Sequence, residues 1–184
     1  MIEWHETEMI SGVFVVETFY AADVRGDFLK SLQYSKIPSS VNMHNIVETY
    51  ISTSHRNVLR GMHYQLPPHD LQKLVTVISG RVLDVVLDMR KSSPTFGKVY
   101  SVELGDKCRY KSLYIPEGCA HGFLSLCDNS QMLYQTTAEF APAFDTGVRY
   151  DSIGFEWPVA EADLIMTERD RSFRKWSMQD SEFV

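Results

Sequence analysis

The sequence predicts an all-β fold, either a sandwich or a barrel, and three observations favour it. Between about residues 44 and 137, short runs rich in β-branched and aromatic residues recur at regular intervals. Turn residues such as Gly80-Arg81 and Gly105-Asp106 separate these runs, and helical patterns are few. No internal repeat or linker divides the chain, so we expect one domain spanning residues 1–184 with short helices only at its periphery.

The elements follow in order along the chain. A first strand is predicted at Gly12–Phe19, which is rich in β-branched and aromatic residues. A turn at Asp23–Asp27 then precedes a short helix predicted over Phe28–Lys36. Further strands are predicted at residues 47–54, 58–65, 74–79, 82–89, 98–104, 111–115, 122–127 and 132–137. The tail from Ala160 to Trp176 mixes charges with apolar residues, which indicates one or two short helical turns packed on the outside.

Composition excludes several classes of partner. The net charge is −6 and the charges are interspersed, which argues against nucleic-acid binding, since that requires a basic face. The three cysteines, Cys108, Cys119 and Cys127, form no CxxC pair, which favours reduced thiols and a cytoplasmic location. The acidic N-terminus does not resemble a signal peptide, and no apolar run reaches membrane-spanning length.

His63, in the stretch Arg60–Gln65, is the first candidate for chemistry. Imidazole titrates near neutral pH and therefore suits a general base, although a packed histidine with one hydrogen bond would show the same pattern. A histidine base usually needs a carboxylate to hold its tautomer. Spacing does not choose among the available aspartates, which are Asp84, Asp88, Asp151 and Asp170.

Other polar residues of the predicted strands could assist such a base. Lys73 begins an apolar strand and, inside a barrel, would stabilise a developing oxyanion; at a strand edge it would simply be solvated. Tyr134 lies in mid-strand, where a buried phenol can either pack or deliver a proton. Arg25 and Arg60 could bind phosphates through two parallel hydrogen bonds, or could lie on the surface.

Metal, serine and cofactor chemistry lack their usual motifs. His63 and His69 are six residues apart across a double proline, and no His-x-His pair occurs. Neither a Gly-x-Ser-x-Gly elbow nor a glycine-rich nucleotide loop is present. We therefore expect chemistry that uses no metal and no cofactor.

Several longer motifs occur in a fixed order. They are Asp23–Phe28, Val58–Pro68, Lys73–Val75, Gly80–Val85, Asp88–Arg90, Ser93–Gly97 and Ile115–Phe123. As an ordered set, within about residues 10–175, they resemble the dTDP-4-dehydrorhamnose 3,5-epimerase family. The resemblance implies a cupin-type jelly-roll barrel, a homodimer that exchanges N-terminal strands, and catalysis without a metal.

The resemblance also implies an activity and a role for individual residues. Such enzymes remove protons next to the C4 ketone of a nucleotide-linked 4-keto-6-deoxy-hexose, for cell-surface or secondary-metabolite deoxysugars. By resemblance His63 is the base and Asp170 orients it, while Lys73 stabilises the enolate oxygen and Tyr134 delivers a proton from the opposite face. The substrate contacts implied in the same way are Arg25, Phe28, Glu48, Tyr50, Arg60, Gln65, His121, Phe140 and Arg169.

The sequence departs from the family pattern mainly where the nucleotide is contacted. Lys30 stands where a glutamate is usual, and Glu48-Thr49-Tyr50 stands where Gln-x-Asn is common. A glutamate in place of a glutamine removes hydrogen-bond donors and adds a charge. We therefore expect retained epimerase chemistry on a substrate whose nucleobase or sugar differs from the usual one. Three alternatives remain: epimerisation at C3 only, a non-epimerising cupin that binds a sugar nucleotide, and a metal-dependent cupin oxygenase.

Overall fold

The computed structural model describes residues 1–183, and these form an all-β molecule with very short helices. The strands are β1 (Glu3–Glu6), β2 (Phe14–Glu17), β3 (Phe19–Asp23), β4 (Gly26–Lys30), β5 (Glu48–Ser54), β6 (Leu59–Gln65), β7 (Lys73–Ser79), β8 (Arg81–Asp88), β9 (Val99–Gly105), β10 (Ser112–Ile115), β11 (Cys119–Ser125), β12 (Ser130–Thr136) and β13 (Asp145–Gly147). One α-helical turn, α1, spans Glu168–Arg171, and 3-10 turns occupy Tyr34–Lys36, Tyr150–Ser152, Glu161–Asp163 and Met178–Asp180. None of the helices among these residues is long and apolar enough to cross a membrane.

Two antiparallel sheets form the walls of the barrel. The larger has the strand order β1-β2-β10-β7-β12-β5, and the smaller has the order β13-β6-β11-β8-β9. Apart from β1-β2 and β8-β9, neighbours in each sheet are not consecutive in sequence, which is the crossover pattern of a jelly roll. The predicted cupin-type jelly-roll barrel is confirmed, and its two sheets supply the two facing walls of the site described below.

The core lies between the inner faces of these sheets. Val75 and Val77 of β7 pack in one cluster with Val86 of β8, Leu104 of β9 and Phe123 of β11, all of them almost fully buried. Burial alternates residue by residue along β12, so every second side chain faces inward. This alternation turns Tyr134 toward the inside of the barrel, at 8% exposure.

Most predicted strands are confirmed within one to three residues, but the helix predicted over Phe28–Lys36 is wrong. Its first part is strand β4, which pairs with β3 across a turn at Val24-Arg25, and only Tyr34–Lys36 is helical. The rings of Phe19 and Phe28 meet edge to face across this hairpin, at 6.1 Å between centroids. Pairing with the preceding strand therefore overrides the weak local helical preference. Strands β1, β3 and β13 were not predicted.

The predicted peripheral turns of the tail are confirmed, and they carry a functional candidate. Thr167 caps α1 by accepting a hydrogen bond from the Asp170 backbone N–H at 3.2 Å. Isolated bridges attach the tail to the barrel, one between Val58 and Ile165 and one between Val148 and Arg174. These attachments place α1 against β6.

Candidate active site

A cavity of about 390 Å³ opens between the two sheets. Strands β6 and β11 form one wall, and β5, β7 and β12 form the other. The lining residues that carry polar groups or rings are Glu48, Tyr50, Ser52, Arg60, His63, Tyr64, Gln65, Lys73, His121, Phe123, Tyr134, Thr136, Phe140 and Asp145. Nine of the thirteen site residues predicted from the sequence, Lys73 among them, line this one cavity.

His63 is bound by Asp170, the aspartate that the family resemblance selects from the four that spacing left open. His63 Nε2 lies 2.8 Å from Asp170 Oδ1, and Asp170 Oδ2 accepts a hydrogen bond from the Gly61 backbone N–H at 3.3 Å. Burial opposes ionisation of Asp170, but the hydrogen bonds from His63 and Gly61 outweigh it and lower the pKa of the carboxyl. An ionised carboxylate only accepts hydrogen bonds, so Nε2 carries the proton and Nδ1 is the basic nitrogen.

The other three aspartates have different partners. Asp84 binds His121, with Oδ1 2.9 Å from Nε2. Asp88 accepts hydrogen bonds from Arg90, and Asp151 forms a surface pair with Arg149. Asp84 was not predicted as a site residue, although an acid within the apolar run 82–87 was a usable signal, because a buried carboxylate requires a partner.

His121 is a neutral, buried companion of His63. The two histidines are direct cross-strand partners on β6 and β11. Burial lowers the pKa of His121, and the attraction of Asp84 only partly offsets this effect. The His121 side chain is 5% exposed, whereas the His63 side chain is 31% exposed, so the His63 ring is the more accessible of the two from the cavity.

Lys73 and Tyr134 lie on the wall opposite the histidines. Burial lowers the pKa of Lys73 to about 8, against the opposing attraction of Asp145 and Asp84. Burial raises the pKa of Tyr134, so its phenol stays protonated and able to donate. A basic nitrogen, a cation and a phenolic proton donor therefore surround the same space.

Arg60 and Glu48 bring charges of opposite sign to the cavity. Arg60 Nε donates to Ser54 Oγ at 3.1 Å, which holds the guanidinium in the cavity wall. Glu48 Oε2 accepts a hydrogen bond from the Phe140 backbone N–H at 2.8 Å. This bond holds the exposed ring of Phe140 beside the cavity.

Gln65 lines the cavity, but its side-chain amide is occupied by the backbone. Nε2 donates to the carbonyl oxygens of His69 and Glu139, at 2.7 and 3.2 Å. Oε1 accepts from the Ala141 N–H at 2.7 Å. The residue predicted as a substrate contact therefore positions the loop at residues 139–141 in this structure.

Three predicted substrate contacts lie away from the cavity within one chain. Arg25 and Phe28 lie on the β3–β4 hairpin, where Arg25 is paired with Asp23 and both line a separate depression. Arg169 binds Asp145, at 2.5 Å between Nη2 and Oδ2. Arg169 thus contacts the cavity lining through Asp145, and its direct contact with substrate stays a prediction.

Potential metal ligands lie elsewhere. In the described part of the chain, one group of three His, Cys, Asp or Glu side chains is close enough to share an ion, namely Glu3, His5 and Glu17. These residues are on β1 and β2, and none of them lines the cavity. Metal-independent catalysis stays a prediction.

Known proteins with the same architecture identify the family. Residues 7–178 match the family model described as dTDP-4-dehydrorhamnose 3,5-epimerase. This chain belongs to that family. The epimerase is 36% identical over 168 residues to dTDP-4-dehydrorhamnose 3,5-epimerase of Methanothermobacter thermautotrophicus, with 90% of each chain covered.

Solved structures of the family superpose closely on the epimerase. The dTDP-4-dehydrorhamnose 3,5-epimerase of Elizabethkingia anophelis matches with a TM-score of 0.87 at 30% identity, covering 98% of both chains. The Legionella pneumophila enzyme, solved with dTDP-4-keto-L-rhamnose, matches with a TM-score of 0.86 at 29% identity, covering 95% of this chain and 93% of that one. A 3'-monoepimerase from Streptomyces bikiniensis, solved with dTDP-quinovose, matches with a TM-score of 0.83 at 28% identity, covering 93% and 86%.

Proposed function

We propose that the epimerase inverts C3 and C5 of a nucleotide-linked 4-keto-6-deoxy-hexose by removing protons next to the C4 ketone. The observation that carries this proposal is the His63–Asp170 dyad, which faces Tyr134 across a cavity that also contains Lys73. A ketone flanked by two carbons acidifies the hydrogen on each, so one set of groups can serve both centres. The family membership and the relative solved with dTDP-4-keto-L-rhamnose support the substrate class.

The proposed mechanism uses three side chains directly, with Asp170 holding the first of them, His63. Nδ1 of His63 takes the proton from carbon, and the C–H electrons form the C3–C4 or C4–C5 double bond as the carbonyl π electrons move to oxygen. Lys73 stabilises the negative charge on that oxygen. The electron pair then returns to carbon, which takes a proton from the Tyr134 hydroxyl on the opposite face. Solvent reprotonates the phenolate, and His63 returns its proton to water.

The two walls of the barrel support this division of labour. His63 lies on β6 of the smaller sheet, and Tyr134 lies on β12 of the larger one. A sugar ring between the sheets would present one face to the imidazole and the other to the phenol. Such an arrangement inverts a carbon centre, because removal and delivery of the proton occur on opposite sides.

Arg60 is the proposed phosphate contact within the chain. Its guanidinium lies in the cavity wall, where it can bind a diphosphate oxygen. Glu48 and Tyr50 stand at positions where the family commonly has polar amides that contact the nucleotide. The nucleotide that this epimerase prefers therefore needs a direct test. Turnover is compared with dTDP-, UDP-, CDP- and GDP-linked 4-keto-sugars; a clear preference for the dTDP substrate would contradict the expectation of an altered base.

A homodimer that exchanges N-terminal strands would bring Arg25 and Phe28 to the cavity of the partner subunit. The β3–β4 hairpin supports this idea, since Phe19, Tyr20, Val24 and Phe28 are all large, apolar and at least 40% exposed. Light scattering on Phe28→Asp tests it, with a monomer expected. A dimer that persists unchanged would count against the exchange. The cytoplasmic location also stays a prediction, supported by three free cysteines.

The experiment that tests the reaction is deuterium wash-in from D₂O, followed by NMR. We expect exchange at both C3 and C5, and its loss in His63→Ala. Exchange at C3 alone would favour the second candidate, a C3-only epimerase, for which the similar 3'-monoepimerase provides the specific support. A His63→Ala variant that retained full function would instead indicate a non-epimerising, sugar-nucleotide-binding cupin.

A further inference from the structure

Tyr50 lies directly against the ring of Tyr134. The two residues are cross-strand partners on β5 and β12. Their rings are parallel to within 11°, with centroids 4.6 Å apart, so they form a close face-to-face contact. Tyr134 is 8% exposed and Tyr50 is 46% exposed, so Tyr50 covers the buried ring from the side of the solvent.

The ring of Tyr134 also has a neighbour in the facing sheet. His121 meets it at 6.5 Å between centroids, with a steep angle of 62° between the planes. His121 is itself held by Asp84, at 2.9 Å. Tyr134 therefore lies between a fixed imidazole on the buried side and a single removable ring, Tyr50, on the outer side.

This arrangement has a direct effect on the phenolic hydroxyl. A tyrosine ring that can tilt moves its oxygen much more than its Cβ, so loss of one flanking ring allows the hydroxyl to leave its donating position. A stacked aromatic pair changes the population of such an orientation by roughly 2- to 10-fold. The expected consequence is a change in how often the phenol delivers its proton before the base returns one.

We propose that Tyr50 is a positioning residue that holds the Tyr134 hydroxyl in place for proton delivery, and so sets the proportion of enolate that is inverted. This inference rests on the proposed function, because it assumes that His63 and Tyr134 act on opposite faces of the sugar. Once the enolate forms, it has two fates. Delivery from Tyr134 inverts the centre, whereas return of a proton from the His63 side restores it.

In D₂O these two fates leave different products. Inverted sugar carries deuterium from the exchanged Tyr134 hydroxyl in the new configuration. Once His63 has exchanged the removed proton with D₂O, return from its side leaves deuterium in the original configuration. The ratio of exchange with retention to exchange with inversion is read by NMR at C3 and C5 from initial rates. Total wash-in reports on proton removal by His63 and serves as the internal reference for each variant.

The variants Tyr50→Phe, Tyr50→Leu and Tyr50→Asn separate stacking from simple occupancy. Tyr50→Phe keeps the ring, so the ratio is expected to stay at the wild-type value. Tyr50→Leu and Tyr50→Asn remove the ring, so retention relative to inversion is expected to rise by about 2- to 10-fold. Tyr134→Phe provides the upper limit, because it removes the donor itself. Thermal melting shows which variants are folded. If Tyr50→Leu or Tyr50→Asn fails to fold, the other one provides the test.

The outcomes distinguish this inference from the function on which it rests. A wild-type protein that shows no exchange at either carbon overturns the proposed function. If the wild type exchanges and inverts, but a folded ring-free variant keeps the wild-type ratio of retention to inversion, only the role of Tyr50 is overturned. An equal rise in Tyr50→Phe overturns stacking as the cause, since that variant retains the ring.

Discussion

His63 and His121 are direct cross-strand partners, and each is bound through Nε2 by its own aspartate. The two pairs have almost the same geometry, with 2.8 Å to Asp170 and 2.9 Å to Asp84. They differ in access, because the side chain of His63 is 31% exposed and that of His121, which also lines the cavity, is only 5% exposed. The same His–Asp pair thus provides the proposed general base on β6 and a neutral histidine in the cavity wall on β11.

Asp170→Asn is expected to lower deuterium wash-in by about 10²- to 10⁴-fold, because an amide no longer holds Nε2 of His63 as the protonated nitrogen. The rate at C3 and C5 is measured by NMR. Asp151→Asn is the matched control, since Asp151 is paired with Arg149 outside the cavity. Equal losses in both variants would point to a general effect of charge rather than to the dyad.

The activity of the free enzyme is expected to fall as pH rises through about 8, where Lys73 loses its proton. Burial lowers the pKa of Lys73, so the cation that stabilises the enolate is present below this value and absent above it. The measurement is kcat/KM against pH. Lys73→Arg, whose guanidinium stays charged, is expected to be slower but to lack this alkaline decline. An identical decline in that variant would assign it to another group.

Asp88→Asn is expected to reduce the free energy of unfolding at pH 7 by about 2–4 kcal/mol. Burial opposes the charge on Asp88, but hydrogen bonds from Arg90, Ser93 and Thr95 outweigh it and lower the pKa of the carboxyl. This stabilisation is therefore present above the ordinary carboxyl pKa and is lost as pH falls through the lowered one. Urea unfolding from pH 7 downward should show the wild type approaching the variant. The exposed Glu103→Gln, which removes a partner of Arg81, is the control with little expected effect.

Gly61→Ala is expected to cost about 3 kcal/mol or more of unfolding free energy. A Cβ there would lie 2.5 Å from Gly122 Cα, and the φ of Gly61 is +132°, which side-chain-bearing residues rarely adopt. Gly154→Ala also has a positive φ, +74°, but meets nothing within 4 Å, so a loss of only about 1 kcal/mol is expected. Comparable losses in the two variants would show that backbone strain, not the close approach of β6 to β11, dominates.

The periodicity of the sequence predicted most strands because alternation along a half-buried strand is a local property. It did not predict β4, since the preference of residues 26–30 is set by pairing with β3. Spacing also left Asp170 unselected among four aspartates. Its contact with His63 joins positions 107 residues apart, so only the docking of the tail creates it.

The family resemblance predicted which side chains gather at the cavity, but it did not predict their hydrogen-bond partners within the chain. Gln65 and Arg169 were expected to contact substrate, but the structure gives their donors to backbone carbonyls and to Asp145. The donors of a long polar side chain can bind either a ligand or the protein. A sequence does not reveal that choice, because it depends on which loop lies within 3 Å in the folded chain.

The attachment of the tail through α1 makes catalysis more fragile than the barrel itself. On the N-terminal side of α1, the tail that carries Asp170 is attached where Ile165 bonds to Asn57 and Leu59, through two backbone hydrogen bonds of 3.0 Å each. Local opening there needs far less free energy than separating the two sheets. Mild heating should therefore silence the enzyme reversibly at temperatures where circular dichroism still records an intact jelly roll.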